Sequence, residues 1–208
     1  MFKAFIFDLD GTLTNSINIW ASLFKKTFKK YRMEVNERDI KNQFGKPYTE
    51  IIEYFTPENK EEIIKYFKME KDKIGIEKFK LFPFVEKTFR QLKQKNMKIA
   101  IATGNNNYLV DKIIEKYDLS EYIDYHICSE EVKKTKPDPE MIFKILKHLK
   151  IEKNETIFIG DSPYDIQMAK NAKINSCAVL TGVLNKKSAE KIKPNYIFKN
   201  IEGILKLT

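Results

Sequence analysis

The chain is poor in several residue types, and each shortage narrows what it can be. Its 208 residues include two cysteines, two histidines, one tryptophan and seven glycines. Cys128 and Cys177 lie far apart and form no CxxC pair, which argues against a disulfide framework and predicts reduced thiols in a cytoplasmic protein. Neither histidine stands at a metal-binding spacing; His126 reads as a strand residue and His148 as an exposed helix residue. No run approaches the roughly 20 apolar residues of a membrane span. Met1-Phe2-Lys3 enters a strand-like run at once, without a signal-peptide layout. The expectation is a cytoplasmic protein with no membrane partner.

What is present points to an enzyme-sized α/β domain. Hydrophobic residues make up 42% of the chain, enough for a sizeable core. Charged residues make up 32%, mostly lysine and glutamate, which predicts helices solvated on one face. A net charge of +9 invites a nucleic-acid reading, but the lysines are interleaved with acids along the whole chain. The basic stretch from Lys186 to Lys193 offers no aromatic residue to stack on a base, so no nucleic-acid partner is expected. A general positive field can still draw in small anions.

Five near-continuous apolar runs read as buried parallel strands: Phe2–Phe7, Lys98–Thr103, Tyr125–Cys128, Thr156–Gly160 and Ser176–Leu180. Helical patterns separate them, with Asp138 as a good N-cap and Pro139 as a first helical residue for Met141–Leu149. A short strand, Asn195–Phe198, and a helix, Ile201–Leu207, finish the pattern. This alternation predicts a doubly wound, Rossmann-like parallel sheet. One stretch breaks it. From Asn15 to about Phe82 the pattern is helical only. Ile17, Trp20, Leu23, Phe24, Phe28 and Tyr31 form one stripe, Ile40 and Phe44 a second helix ended by Gly45 and Pro47, Ile51, Ile52 and Phe55 a third, and Ile63, Ile64, Phe67 and Ile74 a fourth. The expected organisation is a core of residues 1–14 and 83–208 with an all-helical insertion at 15–82. The aromatic stripe reads as core packing, with a binding role as the lesser alternative for Trp20.

Four short elements stand at strand ends in a fixed order: Asp8-Leu9-Asp10-Gly11-Thr12, Thr103-Gly104-Asn105, Lys136-Pro137 and Gly160-Asp161-Ser162-Pro163-Tyr164-Asp165. Each has a bland reading alone, as a strand end, a turn, a surface lysine or a helix cap. Together they bring acids, a hydroxyl and a lysine to the edge where parallel sheets bind ligands. Asp8 and Asp10, two residues apart, share one face of an extended segment. Asp8, Asp161 and Asp165 offer hard oxygen ligands that suit Mg²⁺ better than zinc. Lys136, the Thr103 hydroxyl and the N–H groups of Gly104 and Asn105 can hold phosphate oxygens. A carboxylate at Asp8, with an ordinary pKa of about 3.9, is ionised at neutral pH and can attack phosphorus. Asp10, once protonated, would give its proton to the leaving oxygen.

These motifs, from Phe7-Asp8-Leu9-Asp10-Gly11-Thr12-Leu13 to Ile159-Gly160-Asp161-Ser162-Pro163-Tyr164-Asp165, resemble those of the haloacid dehalogenase superfamily of hydrolases over nearly the whole chain. The branch it is most similar to has a helical cap and includes phosphoglycolate phosphatases, pyrophosphatases and β-phosphoglucomutase. The resemblance implies Asp8 as nucleophile, Asp10 as acid and base, and Thr103 and Lys136 as phosphate binders. It implies Mg²⁺ held by Asp8, Asp161 and the Asp10 backbone carbonyl, with Asp165 beside or behind, and residues 15–82 as a mobile lid. Asp10 favours phosphoryl transfer over dehalogenation, since the dehalogenases lack an aspartate there. Phe84 and Lys173 depart from the glycines usual in relatives. In the lid, Gln43-Phe44-Gly45-Lys46-Pro47 resembles the loop that reads substrate. Lys46 either contacts a carboxylate or second phosphate, or is an exposed lysine beside a helix-ending glycine. The expected activity is Mg²⁺-dependent hydrolysis of a small, phosphoglycolate-like phosphomonoester through an aspartyl-phosphate, by a monomer or homodimer. A sugar phosphomutase is the alternative, and a non-enzymatic receiver domain is disfavoured by the position of the acidic pair and by the insertion.

Overall fold

The computed structural model describes all 208 residues. Six parallel strands form one sheet: β1 (Ala4–Phe7), β2 (Lys98–Thr103), β3 (Tyr125–Cys128), β4 (Thr156–Gly160), β5 (Asn175–Val179) and β6 (Tyr196–Phe198). Their spatial order is β3-β2-β1-β4-β5-β6. β1 lies centrally, pairing Phe7 with Ile101 of β2 on one side and with Ile159 of β4 on the other. The strand order reverses at β1, which opens a crevice beyond the carboxyl ends of β1, β2 and β4.

Side chains alternate across this sheet and divide the core. Phe5, Phe7, Ile99, Ile101, Ile157 and Ile159 face the helices α5 (Val85–Gln94) and α6 (Asn107–Lys116), where Phe89, Leu92, Val110 and Ile113 meet them. Ile6, Ala100, Ala102 and Phe158 face α7 (Glu140–Leu149) and α8 (Pro163–Ala172). The small Ala100 and Ala102 on that face leave room for Met141, Ile142 and Ile145 of α7. Full burial of each large apolar side chain contributes about 1.5–3 kcal/mol, so both faces hold the strand ends firmly. A last helix, α9 (Lys186–Ile192), precedes β6.

Between β1 and α5 come α1 (Ile17–Lys30), α2 (Glu37–Lys41), α3 (Tyr48–Phe55) and α4 (Lys60–Lys71). Phe24 is central to their packing, with its ring centroid 4.5 Å from that of Phe67 and 5.9 Å from that of Phe44. Tyr48 stacks on the other side of Phe67 at 4.9 Å. The two connecting segments run side by side: Asn15 N–H donates to the Lys80 carbonyl and Phe82 N–H to the Leu13 carbonyl, each at 2.8 Å.

Most differences from the sequence expectation lie at element ends. β1 starts at Ala4 rather than Phe2, and β5 covers Asn175–Val179 rather than Ser176–Leu180. α2 stops at Lys41, so Phe44 packs from a loop, and α4 stops at Lys71, which leaves Ile74 outside it. Asp138 accepts the N–H of Glu140 at 3.0 Å, and α7 begins there, one residue later than the proline signal suggested. Ile201–Leu207 forms a 3-10 helix, not an α-helix.

The two departures from glycine both fall on left-handed backbone, with φ of 72° at Phe84 and 59° at Lys173. That conformation strains any residue with a Cβ. Lys173 ends α8 with an exposed side chain. Lys173→Gly is therefore expected to stabilise the protein by about 1 kcal/mol, raising Tm by about 2–4 °C. A lower Tm in a thermal melt would refute the strain argument.

Candidate active site

The four motifs converge beyond the carboxyl ends of β1, β2 and β4. Asp8 follows β1 and extends the sheet pairing, since its N–H donates to the Ile159 carbonyl at 2.9 Å. Gly11 then turns the chain at a φ of 80°, and a Cβ there would lie 2.4 Å from the Asp161 carboxylate. Only glycine satisfies both demands. The turn brings the Thr12 hydroxyl to donate to Asp161 Oδ1 at 3.0 Å. Asp161 follows β4, and Ser162 caps α8: its hydroxyl accepts the Asp165 N–H at 3.3 Å while Asp165 Oδ2 accepts the Ser162 N–H at 3.0 Å. This reciprocal cap fixes both ends of the acidic motif.

The Lys136 ammonium lies among these acids, 2.5 Å from Asp8 Oδ1 and 2.8 Å from Asp165 Oδ1. It is 1% exposed. Burial alone would lower its pKa, but Asp165 and Asp8 outweigh burial and hold it above its ordinary value. Three buried carboxylates, Asp8, Asp161 and Asp165, bring oxygens within 4.8 Å of one another. With all three ionised and one ammonium among them, the cluster carries −3 + 1 = −2. Burial, then the neighbouring acids, pushes the Asp161 carboxyl well above the usual carboxylate range. Burial likewise raises Asp8 to about 7 despite Lys136. The ordinary carboxylate value therefore does not describe Asp8 without a cation, because desolvation outweighs the nearby ammonium.

The donor set fits Mg²⁺. It consists of hard carboxylate oxygens whose net charge of −2 a divalent cation would neutralise. The Asp10 carbonyl adds an oxygen that accepts no backbone hydrogen bond. Asp165 spends both oxygens on Lys136 and Ser162, so it stands behind the other two acids.

Asp10 is half-buried and held by three donors. The Ser16 hydroxyl and the Trp20 indole N–H reach Oδ1, the latter at 2.7 Å, and the Asn105 amide reaches Oδ2. Thr103 accepts the Asn105 N–H at 3.2 Å through its hydroxyl. These residues open onto a cavity of about 60 Å³ between the sheet edge and α1–α4. Its walls include Asp8, Asp10 and Thr103 from the sheet side, and Trp20, Lys46 and Lys71 opposite.

Lys46 reaches the cavity from the loop before α3, its ammonium 3.3 Å from Gln43 Oε1 and 4.8 Å from the centroid of the Tyr164 ring. The Lys46 backbone also lies 3.4 Å from where a Cβ on Gly104 would sit. Lys71, at the end of α4, has its pKa lowered by burial. Neither lysine has a carboxylate within 4 Å.

Lys71 and the segment after β5 were not foreseen as site residues, and for Trp20 packing was preferred to a binding role. The Trp20 contact joins residues 10 apart in sequence through a helix, which stripe periodicity reports only as packing. After β5, Val183 N–H donates to Asp161 Oδ2 at 2.9 Å and Thr181 to the Gly11 carbonyl at 2.6 Å. A Cβ on Gly182 would lie 1.8 Å from the Asp161 carboxylate. Thr181-Gly182 after a strand, like Thr103-Gly104, was the available signal.

Residues 5–179 match the family described as haloacid dehalogenase-like hydrolase. A Clostridium perfringens protein provisionally named pyrophosphatase PpaX is 32% identical over 204 residues, 97% of this chain and 95% of that one. The pyrophosphatase PpaX of Halalkalibacterium halodurans is 27% identical over 201 residues, 96% and 94% of the two chains. Two solved structures share the fold. One is a provisionally named haloacid dehalogenase-like hydrolase from Bacteroides fragilis, with a TM-score of 0.91 at 22% identity over 98% of this chain and 100% of that one. The other is a provisionally named phosphoglycolate phosphatase from Lactobacillus plantarum, with a TM-score of 0.88 at 20% identity over all of both chains. The chain belongs to the haloacid dehalogenase-like hydrolases and is a phosphatase of that family.

The charge balance has a measurable consequence. A carboxyl raised on folding contributes stability that is complete below its unfolded pKa, near 4, and lost as pH rises through its folded pKa, here about 7 for Asp8. In EDTA, Tm should fall between pH 5.5 and pH 8. Millimolar Mg²⁺ should raise Tm more at pH 8 than at pH 5.5, because it binds the ionised cluster and competes with protons below. An unchanged Tm at pH 8 with Mg²⁺ would rule out a cation site in this cluster.

Proposed function

From its place among the haloacid dehalogenase-like hydrolases, we propose that this phosphatase is Mg²⁺-dependent and acts on a small phosphate compound bearing a second anionic group. Inorganic pyrophosphate and phosphoglycolate are the leading examples. The observation that carries this reading is the 60 Å³ cavity, with Asp8 and Asp10 on one side and two lysines lacking carboxylate partners on the other. A cavity of that size suits a phosphate with a small appendage, whereas pockets for drug-sized ligands measure about 300–1,000 Å³. This disfavours a hexose phosphate and hence the mutase reading. Relatives spanning almost the whole chain are named as pyrophosphatases, which adds support for pyrophosphate.

In this reading an Asp8 oxygen attacks phosphorus, and the bond from phosphorus to the leaving oxygen breaks with its electron pair on that oxygen. Asp10 gives its proton to the leaving oxygen. Water then attacks the aspartyl-phosphate and passes a proton to Asp10, and the phosphorus–Asp8 bond breaks to restore the carboxylate. Thr103, Gly104 and Asn105 hold the phosphoryl oxygens, and Lys136 fixes Asp8. Asp8, Asp161 and the Asp10 carbonyl would hold Mg²⁺, with Asp165 supporting them through Lys136 and Ser162. Such an ion supplies positive charge against the phosphoryl oxygens. Residues 15–82 act as a lid that selects the substrate, while residues 1–14 and 83–208 perform the transfer.

Phosphate release should be measured with Mg²⁺ on pyrophosphate, phosphoglycolate, nucleotides and hexose phosphates. Pyrophosphate or phosphoglycolate should lead, and Asp8→Asn should lose at least about 10³-fold in kcat. A hexose phosphate as best substrate, or retained activity in Asp8→Asn, would overturn the reading. Lys46→Ala should raise KM for substrates with a second anionic group by about 10-fold, the scale of one charged hydrogen bond, and leave 4-nitrophenyl phosphate unchanged. Equal effects on both substrates would refute the contact.

A further inference from the structure

Trp20 is the only tryptophan in the chain, and the proposed chemistry gives it no part. Its indole N–H donates to Asp10 Oδ1 at 2.7 Å, and its ring leans on Phe79 with centroids 5.4 Å apart. Its side chain is buried, with the N–H side at the wall of the cavity. The three donors around Asp10 differ in what else they can do. The indole nitrogen only donates, whereas a hydroxyl donates or accepts. The Ser16 hydroxyl has a second partner, the Thr14 hydroxyl, at 2.9 Å. The Asn105 amide has a second acceptor, the Thr103 hydroxyl, at 3.2 Å.

A proton on Asp10 therefore meets different receptions at its two oxygens. On Oδ1 it would leave the indole N–H facing a carboxylic-acid hydroxyl, the poorer acceptor of the two oxygens. On Oδ2 it displaces only the Asn105 amide, which keeps a hydrogen bond to Thr103. We propose that Trp20 is a positioning residue for Asp10: by occupying Oδ1 it directs the transferable proton to Oδ2, the oxygen beside Asn105 and Thr103. The inference rests on the reading of Asp10 as acid and base. As the bond from phosphorus to the leaving oxygen breaks, that oxygen takes the Oδ2 proton. Asp10 is left as a carboxylate that all three donors then stabilise. In hydrolysis of the aspartyl-phosphate, the attacking water returns a proton to the same oxygen.

The test separates placement of a proton from general packing. Trp20→Phe keeps an aromatic ring against Phe79 and removes only the N–H side of the indole. Wild type, Trp20→Phe and Asp10→Asn should be compared on phosphoglycolate, whose alkoxide leaving group needs a proton, and on 4-nitrophenyl phosphate, whose phenolate departs without one. Trp20→Phe should lower kcat/KM, which reports the steps up to leaving-group departure, by about 10–100-fold for phosphoglycolate and by less than about 3-fold for 4-nitrophenyl phosphate. Asp10→Asn should discriminate in the same direction. If Asp10→Asn discriminates and Trp20→Phe does not, the role of Trp20 is overturned alone. If Asp10→Asn lowers kcat/KM for both substrates equally, Asp10 is not the acid for the leaving group and the inference falls with that reading. A second measurement needs no turnover: the single indole N–H proton resonance should move upfield in Asp10→Ala. An unmoved resonance would refute the contact itself.

Discussion

One buried ammonium sets the terms for the rest of the molecule. Lys136 sits between Asp8 and Asp165 at hydrogen-bond distance from each. Carboxylates removed from water are unstable unless paired, at several kcal/mol per ion. Lys136 offsets one of three such charges, and Thr12, Ser162 and Val183 supply hydrogen bonds to the others. What remains is a site with a surplus of negative charge that must nevertheless receive a phosphate. Two features oppose that repulsion: the oxygen donor set, which suits a divalent cation, and the lysines on the opposite wall of the cavity. An ion in the acidic cluster would also keep Asp8 ionised, which burial alone resists. The same balance thus bears on both binding and nucleophilicity.

Holding these charges so close leaves no room for side chains on the loops that carry them. Gly11 and Gly182 approach the Asp161 carboxylate from two directions, after β1 and after β5. The segments are joined by the hydrogen bond from Thr181 to the Gly11 carbonyl. The sheet makes this crowding tolerable. Its buried strands, packed on both faces by Phe5, Phe7, Phe158 and their neighbours, fix the starting point of each loop. Stability is thus concentrated in the layer beneath the site, and the site is built from short turns over it.

Much of this arrangement was legible in the sequence because it is local. β2, β3 and β4 were readable to the residue, since continuous apolar runs bounded by turn residues are the signature of a doubly buried strand. Three of the site motifs were legible because each follows its strand directly, whereas Lys136 comes only after β3 and a 3-10 turn at Ser129–Glu131. Trp20 was not, because a tryptophan on an apolar stripe looks the same whether or not its nitrogen finds a carboxylate. Lys71 was hidden by composition: in a chain with 38 lysines and arginines, nothing local separates one that faces a cavity from those that face water. Gly182 was missed because crowding between residues 161 and 182 is a property of the folded chain. The ends of α2 and α4 moved because the packing of Phe44 and the turn after Lys71, not periodicity, decide where those helices stop.

The inserted helices reach the chemistry as well as the cavity. Ser16 and Trp20, which lie at and just inside the start of α1, supply both donors to Asp10 Oδ1, whereas Asn105 beyond β2 supplies the donor to Oδ2. Asp10 is therefore fully held only while α1 rests on the sheet edge. If residues 15–82 serve as a lid, a compound that prevents α1 from seating leaves Asp10 with one donor of three. Selection would then appear in the rate of leaving-group departure as well as in affinity. A compound too large for the cavity would bind to the phosphate-holding groups and still turn over slowly. With Asp10 as the acid and those helices as the lid, discrimination against larger phosphate esters would become a property of the transition state, where it is most effective.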